Sequence, residues 1–215
     1  MMPRETHHTL VIVPGLRGDV GDHWQSRLAA KRPDAVVVPS FGRDKRDLAG
    51  RVADLDTVIR DAVSPVTIVA HSAGVLTTVH WARQHELPVR GALLATPPGL
   101  AKPLPPEYPT LRELEESGWL PLPRARLPFP SIVAASTNDP LGDFENVRGL
   151  AQAWGSRFID VGPVGHLNPA SGYGDWPGAE ALLHVLSGMS TTAADSPDDP
   201  ATRARLSRVS SRASD

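Results

Sequence analysis

Short runs of Val, Ile, Leu and Ala alternate along the chain with longer stretches in which apolar residues recur every three or four positions. The short runs are Thr9–Val13, Ala35–Val38, Val66–Ala70, Gly91–Ala95, Ile132–Ala135 and Arg157–Val161. Their apolar character is continuous rather than alternating, as expected of strands buried on both faces. The longer stretches, Asp22–Lys31, Asp47–Ala62, Ala73–Gln84, Phe144–Trp154 and Pro177–Leu186, read as helices. Within Asp47–Ala62, the residues Leu48, Val52, Leu55, Val58, Ile59 and Ala62 make a core-facing stripe, which assigns Arg51, Asp54, Asp56 and Arg60 to the outside. Strands alternating with helices predict an α/β fold, a mostly parallel sheet of about six strands covered by helices.

Two segments break the pattern. Pro97–Pro130 is dense in proline, which prevents regular elements, and only Thr110–Ser117 has the makings of a helix. Such a stretch forms either a small cap over a pocket or a stiff surface connection. Ser190–Asp215 holds almost no large apolar side chain and cannot bury enough surface to order itself. Its arginines, Arg203, Arg205, Arg208 and Arg212, are matched by Asp195, Asp198, Asp199 and Asp215, so it offers no net charge to a partner. The chain therefore divides into a flexible N-terminus (1–8), one domain (9–189) and a disordered tail (190–215).

A chain of 215 residues suits a single domain of this kind. Its formal net charge of −2 gives no reason to expect attraction to the phosphates of a nucleic acid. The absence of cysteine removes disulfides, thiolate metal sites and a thiol nucleophile. Leu10–Val13 is too short for a signal-peptide core or a membrane span, and the expectation is a soluble, cytoplasmic protein without a membrane partner.

Chemistry enters at Val66-Thr-Ile-Val-Ala-His-Ser-Ala-Gly74, a buried-type strand running through a small-x-Ser-x-Gly turn into a helix. So sharp a reversal lifts a serine above the sheet end and tolerates only small neighbours, here Ala70 and Gly74. Ser72 is thus a candidate nucleophile; its other reading is an ordinary helix N-cap. A serine hydroxyl needs a base to take its proton and an acid to orient that base. Asp139 and His166 follow in the order serine, acid, histidine, each in a loop just past a strand, where the side chains of an open parallel sheet converge. Asp143 and Asp160 are the alternative acids. The acyl oxyanion would be held by backbone N–H groups, that of Ala73 after the nucleophile and that of Leu16, or next Gly15, in the turn after the first strand. No histidine has a metal-ligand partner at suitable spacing, and Gly15, Gly18 and Gly21 are not followed by the Gly-Lys-Ser/Thr of a phosphate loop.

These residues, with Val13-Pro-Gly15, Asp22-His-Trp-Gln25, Asn138-Asp-Pro140, Gly165-His-Leu-Asn168 and Gly174-Asp-Trp-Pro177, resemble the small serine hydrolases grouped under retinoblastoma-binding protein 9 and the bacterial YdeN proteins. The resemblance spans nearly the whole domain. It implies a compact α/β-hydrolase fold with little or no cap, a triad of Ser72, Asp139 and His166, and hydrolysis of esters or, in some relatives, amides. Such a triad requires no metal or organic cofactor. The expected partner is a small-molecule ester or amide, with Trp24, Leu141 and Trp176 as candidate pocket residues. A noncatalytic interaction module on a hydrolase scaffold and an acyltransferase are the alternative readings.

Overall fold

The computed structural model describes residues 8–18, 20–39, 44–63 and 65–189. Among them, six strands form one sheet: β1 (Thr9–Val13), β2 (Ala35–Val37), β3 (Val66–His71), β4 (Val89–Ala95), β5 (Ser131–Ala135) and β6 (Arg157–Asp160). The spatial order is β2-β1-β3-β4-β5-β6, and every pairing is parallel. The helices are α1 (Trp24–Lys31), α2 (Leu48–Asp61), α3 (Ala73–Ala82), α4 (Leu111–Glu116), α5 (Phe144–Trp154) and α6 (Gly178–Ser187). The expected α/β architecture is present, with element ends shifted by a residue or two. Capping explains two of these shifts: His23 and Asp47 lie outside their helices and accept first-turn N–H bonds. The tail at 190–215 and most of the N-terminus at 1–8 lie outside the described residues.

The uninterrupted apolar strands are explained by two cores, one on each face of the sheet. Val11, Ile68, Leu94 and Val133 point into the larger core, which α2, α3 and α5 close. Their strand neighbours Leu10, Val69, Leu93 and Ile132 point into the smaller one, beneath α1 and α6. Helix α3 is apolar almost all round, and Ala73–Trp81 are all buried. Its polar side chains are satisfied locally: Thr77 and Thr78 donate to the carbonyls of Ala73 and Gly74, and His80 Nε2 bonds the Trp119 carbonyl.

Arg51 departs from the sequence reading. The helical pattern places it on the outside of α2, yet it is only 4% exposed. The residue flanks the apolar stripe beside Leu48 and Leu55, so its aliphatic stem packs inward while its guanidinium reaches main-chain carbonyls. The proline-dense segment 97–130 also has a definite place. Leu114, Trp119, Leu127 and Phe129 are buried in the larger core, and the Leu127 N–H bonds the Trp154 carbonyl. Trp119 Nε1 donates to the Arg46 carbonyl and Trp154 Nε1 to the Pro123 carbonyl. The segment is thereby strapped along the helix layer, with α4 started by a Thr110–Glu113 capping box.

The chain reverses direction in strand order between β1 and β3, and the loops after these strands leave side by side. There β1 touches the first turn of α3. A Cβ added at Gly74 would lie 2.8 Å from the Pro14 carbonyl oxygen and closer still to that of Val13. Gly74→Ala is therefore expected to destabilise the protein by about 1–3 kcal/mol through overpacking, although alanine is by about 1 kcal/mol the better helix former. A urea midpoint equal to or above that of wild type would contradict this account of the contact.

Candidate active site

Ser72 joins β3 to α3 with φ 55° and ψ −125°, a conformation that L-residues rarely adopt. Its own N–H bonds the Ala95 carbonyl at 3.0 Å, which fixes the turn against β4. The side chain makes no N-cap bond to α3. Instead its Oγ lies 2.8 Å from His166 Nε2, so the capping alternative does not describe this serine. His166 Nδ1 lies 2.9 Å from both Asp139 oxygens, and the histidine and aspartate side chains are 5% and 3% exposed. A hydroxyl, an imidazole and a carboxylate thus form one continuous buried line.

Each member is held by hydrogen bonds to backbone groups. Asp139 Oδ1 accepts the Leu141 N–H at 2.8 Å. The loop carrying His166 is tied to the Asp139 loop where the Gly165 N–H donates to Asn138 Oδ1, and to Ser171 where the His166 N–H donates to Ser171 Oγ. Gly165, at φ 59°, has no room for a side chain because Ser171 occupies that space. The 3₁₀ turn Pro169–Ser171 is itself capped by Asn168. Of these anchors, Ser171 was absent from the sequence reading; the Asn-Pro-x-Ser turn in which it sits was its one local signal.

The alternative acids are used elsewhere. Asp143 caps α5 and pairs with Lys102, and Asp160 at the end of β6 accepts the Gly162 N–H. Leu16 is half-buried in a turn closed by the Gly18 N–H on the Gly15 carbonyl, and an added Cβ at Gly15 would come within 3.3 Å of Ser72 Cβ. Ala73 opens α3, where first-turn N–H groups have no intrahelical acceptor. Gln25, from α1, crosses the switch point and donates to the carbonyls of Val13 and Val69 at 3.2 and 3.0 Å. Of the expected pocket residues, Trp24 is 1% exposed and belongs to the core beside His71, whereas Leu141 is buried next to Asp139 and Trp176 is half-buried, edge-on to Trp24.

A groove of about 610 Å³ lies at the other end of the sheet, by the starts of β1, β3 and β4. Within it Arg32 pairs with Asp34 and Glu180 and His8 with Asp34, and it is remote from Ser72. Ligands of parallel sheets sit beyond the carboxyl ends of the strands, which is where the serine, histidine and aspartate meet.

The fold and the serine–histidine–aspartate line define an α/β hydrolase. A family model described as serine hydrolase matches residues 10–185, and the chain belongs to that family. It is similar to a YdeN-like hydrolase from Pectobacterium atrosepticum, with 29% identity over 84% of this chain and 90% of the other and a TM-score of 0.70. The ydeN product of B. subtilis shares 20% identity over 85% of this chain and 99% of its own, with a TM-score of 0.65. Est1E of Butyrivibrio proteoclasticus, solved with ferulic acid bound, shares the fold at 12% identity, covering 87% and 90% of the two chains with a TM-score of 0.61. No curated protein sequence matches the chain. Among the described residues no helix is long and apolar enough to cross a membrane.

His71, the last residue of β3, is buried beside this line, its ring centroid 4.6 Å from that of His23 and 4.9 Å from that of His166. Its Nε2 lies 2.8 Å from the His166 carbonyl oxygen, which can only accept, so Nε2 carries the proton. Burial first, then the neighbouring His166 and His23, hold its pKa well below the ordinary 6.5. Below that ordinary value the unfolded chain binds a proton that the native state refuses, so stability is lost as pH falls. The expected result is a urea midpoint that drops between pH 7.5 and about 5.5, and drops less in His71→Gln, where no imidazole must stay neutral. Equal pH sensitivity in the two proteins would show that His71 does not contribute.

Proposed function

We propose that this serine hydrolase cleaves carboxylic esters, and amides by the same route, through an acyl-enzyme on Ser72. What supports the reading is the continuous hydrogen-bonded line from Ser72 Oγ through both His166 nitrogens to Asp139, with the serine held in a strained turn at the head of α3. His166 Nε2 accepts the hydroxyl proton as Oγ attacks the carbonyl carbon. The electron pair displaced from the carbonyl moves onto oxygen, where the N–H groups of Ala73 and Leu16 receive it. When the tetrahedral adduct collapses, the bond to the leaving oxygen breaks and His166 returns its proton to the departing alcohol. Water then enters, loses a proton to the same nitrogen, attacks the acyl carbon and releases the carboxylic acid and free Ser72.

Asp139 orients the imidazole and stabilises its protonated form without taking the proton. Trp176 and Leu141 are proposed as walls of the acyl site, with Trp24 behind Trp176 holding its angle. The substrate class is a small-molecule ester or amide.

Labelling with a fluorophosphonate probe and turnover of p-nitrophenyl acetate test the proposal. Ser72→Ala is expected to abolish labelling and to lower kcat by on the order of 10⁶, and Asp139→Asn to lower it by roughly 10⁴ with the fold intact. Wild-type protein that is folded yet neither labels nor turns over would refute the reading.

A further inference from the structure

Arg51 reaches from α2 to the loop after β1, where Nη1 donates to the Gly15 carbonyl at 3.5 Å and Nη2 to the Leu16 carbonyl at 3.3 Å. The Gly15 carbonyl also accepts the Gly18 N–H at 3.1 Å, so two donors converge on one oxygen. In a trans peptide the C=O of one residue and the N–H of the next point in opposite directions. Whatever holds the Gly15 oxygen therefore sets the direction of the Leu16 N–H, which is turned out of the turn and away from the guanidinium. The loop approaches Ser72 so closely that a Cβ at Gly15 would touch it.

From this geometry we infer that Arg51 is a positioning residue for the oxyanion site: it holds the Gly15–Leu16 peptide in the orientation that aims the Leu16 N–H at the developing oxyanion. The inference rests on the acyl-transfer reading above. A guanidinium is suited to the task because its fork serves two carbonyls at once and keeps its charge at any working pH. The charge on the carbonyl side also polarises the peptide and makes its N–H a better donor, since linked hydrogen bonds strengthen one another. The Gly18 bond alone could allow the peptide to rotate; the added hold from Arg51 opposes a flip that would present the Gly15 oxygen to the oxyanion.

The test uses the full chain as wild type, Arg51→Met and Arg51→Lys, with p-nitrophenyl acetate kinetics, thermal unfolding and the inhibition constant of an aryl trifluoromethyl ketone, whose serine adduct carries the oxyanion. Arg51→Met is expected to lower kcat by about 10²–10³, the loss typical of one oxyanion donor, with KM little changed. The ketone should weaken in proportion to the fall in kcat/KM, and Arg51→Lys, which keeps the charge but lacks the rigid fork, should fall between. A folded Arg51→Met protein with wild-type kcat overturns the inference, as does a lower kcat with undiminished ketone affinity. If Arg51→Met fails to fold, the same proportionality in Arg51→Lys decides. Ser72-dependent turnover in wild type separates the two failures: without it the acyl-transfer reading falls, whereas with it and an indifferent Arg51 only the present inference falls.

Discussion

The contact between the end of β1 and the first turn of α3 governs the site. Because residue 74 has no side chain, the carbonyls of Val13 and Pro14 lie directly against the helix, and the loop that follows β1 is brought over Ser72. This proximity has one topological source, the reversal of strand order between β1 and β3, where neighbouring crossovers leave toward opposite faces. Ser72 comes from one loop and the Gly15–Leu16 peptide from the other. Gln25 on the α1 side and Arg51 on the α2 side then grip main-chain carbonyls around the same junction, so the gap between the loops is fixed from both faces of the sheet.

The serine–histidine–aspartate line is surrounded by side chains whose partners are backbone groups. His71 and Thr96 meet the carbonyl of His166, Ser171 meets its N–H, and Asn138 joins the two loops that carry Asp139 and His166. None of these needs to touch a substrate. Their effect is to limit how far the loops can move relative to one another, and a misplacement of about 1 Å between reacting groups can cost on the order of 10²-fold in rate.

Much of this was legible in the sequence, for identifiable reasons. The central strands are nearly continuous in apolar residues, and Ser72, Asp139 and His166 each follow a strand of the parallel sheet, so their convergence could be argued from parallel-sheet geometry. Arg51 could not be read in the same way. Helical periodicity sorts residues by polarity, and a charge beside the apolar stripe is assigned to water unless the backbone acceptors facing it are known. Those acceptors, Gly15 and Leu16, lie far away in sequence and become neighbours only through the crossover. Ser171 was missed on similar grounds, since a serine in a polar turn has many local uses. The segment 97–130 could be recognised as irregular from its prolines, but the place where Trp119 and Leu127 dock depends on the finished surfaces of α3 and α5.

The order of the site along the chain has a consequence for how the protein is made. Ser72 and His166 are 94 residues apart, and the base and its Ser171 anchor belong to the last third of the domain. During synthesis, β1, β2 and β3 can pair as soon as residues 9–71 have emerged, because each already has a neighbour in the growing sheet. The edge that will receive β4, β5 and β6 stays open meanwhile, an exposed apolar border of the kind that recruits stray strands. A ribosome-bound chain halted before residue 166 would thus hold the Ser72 turn with no imidazole beside it, and the serine–histidine–aspartate line is completed only after the last strand, β6, has been made.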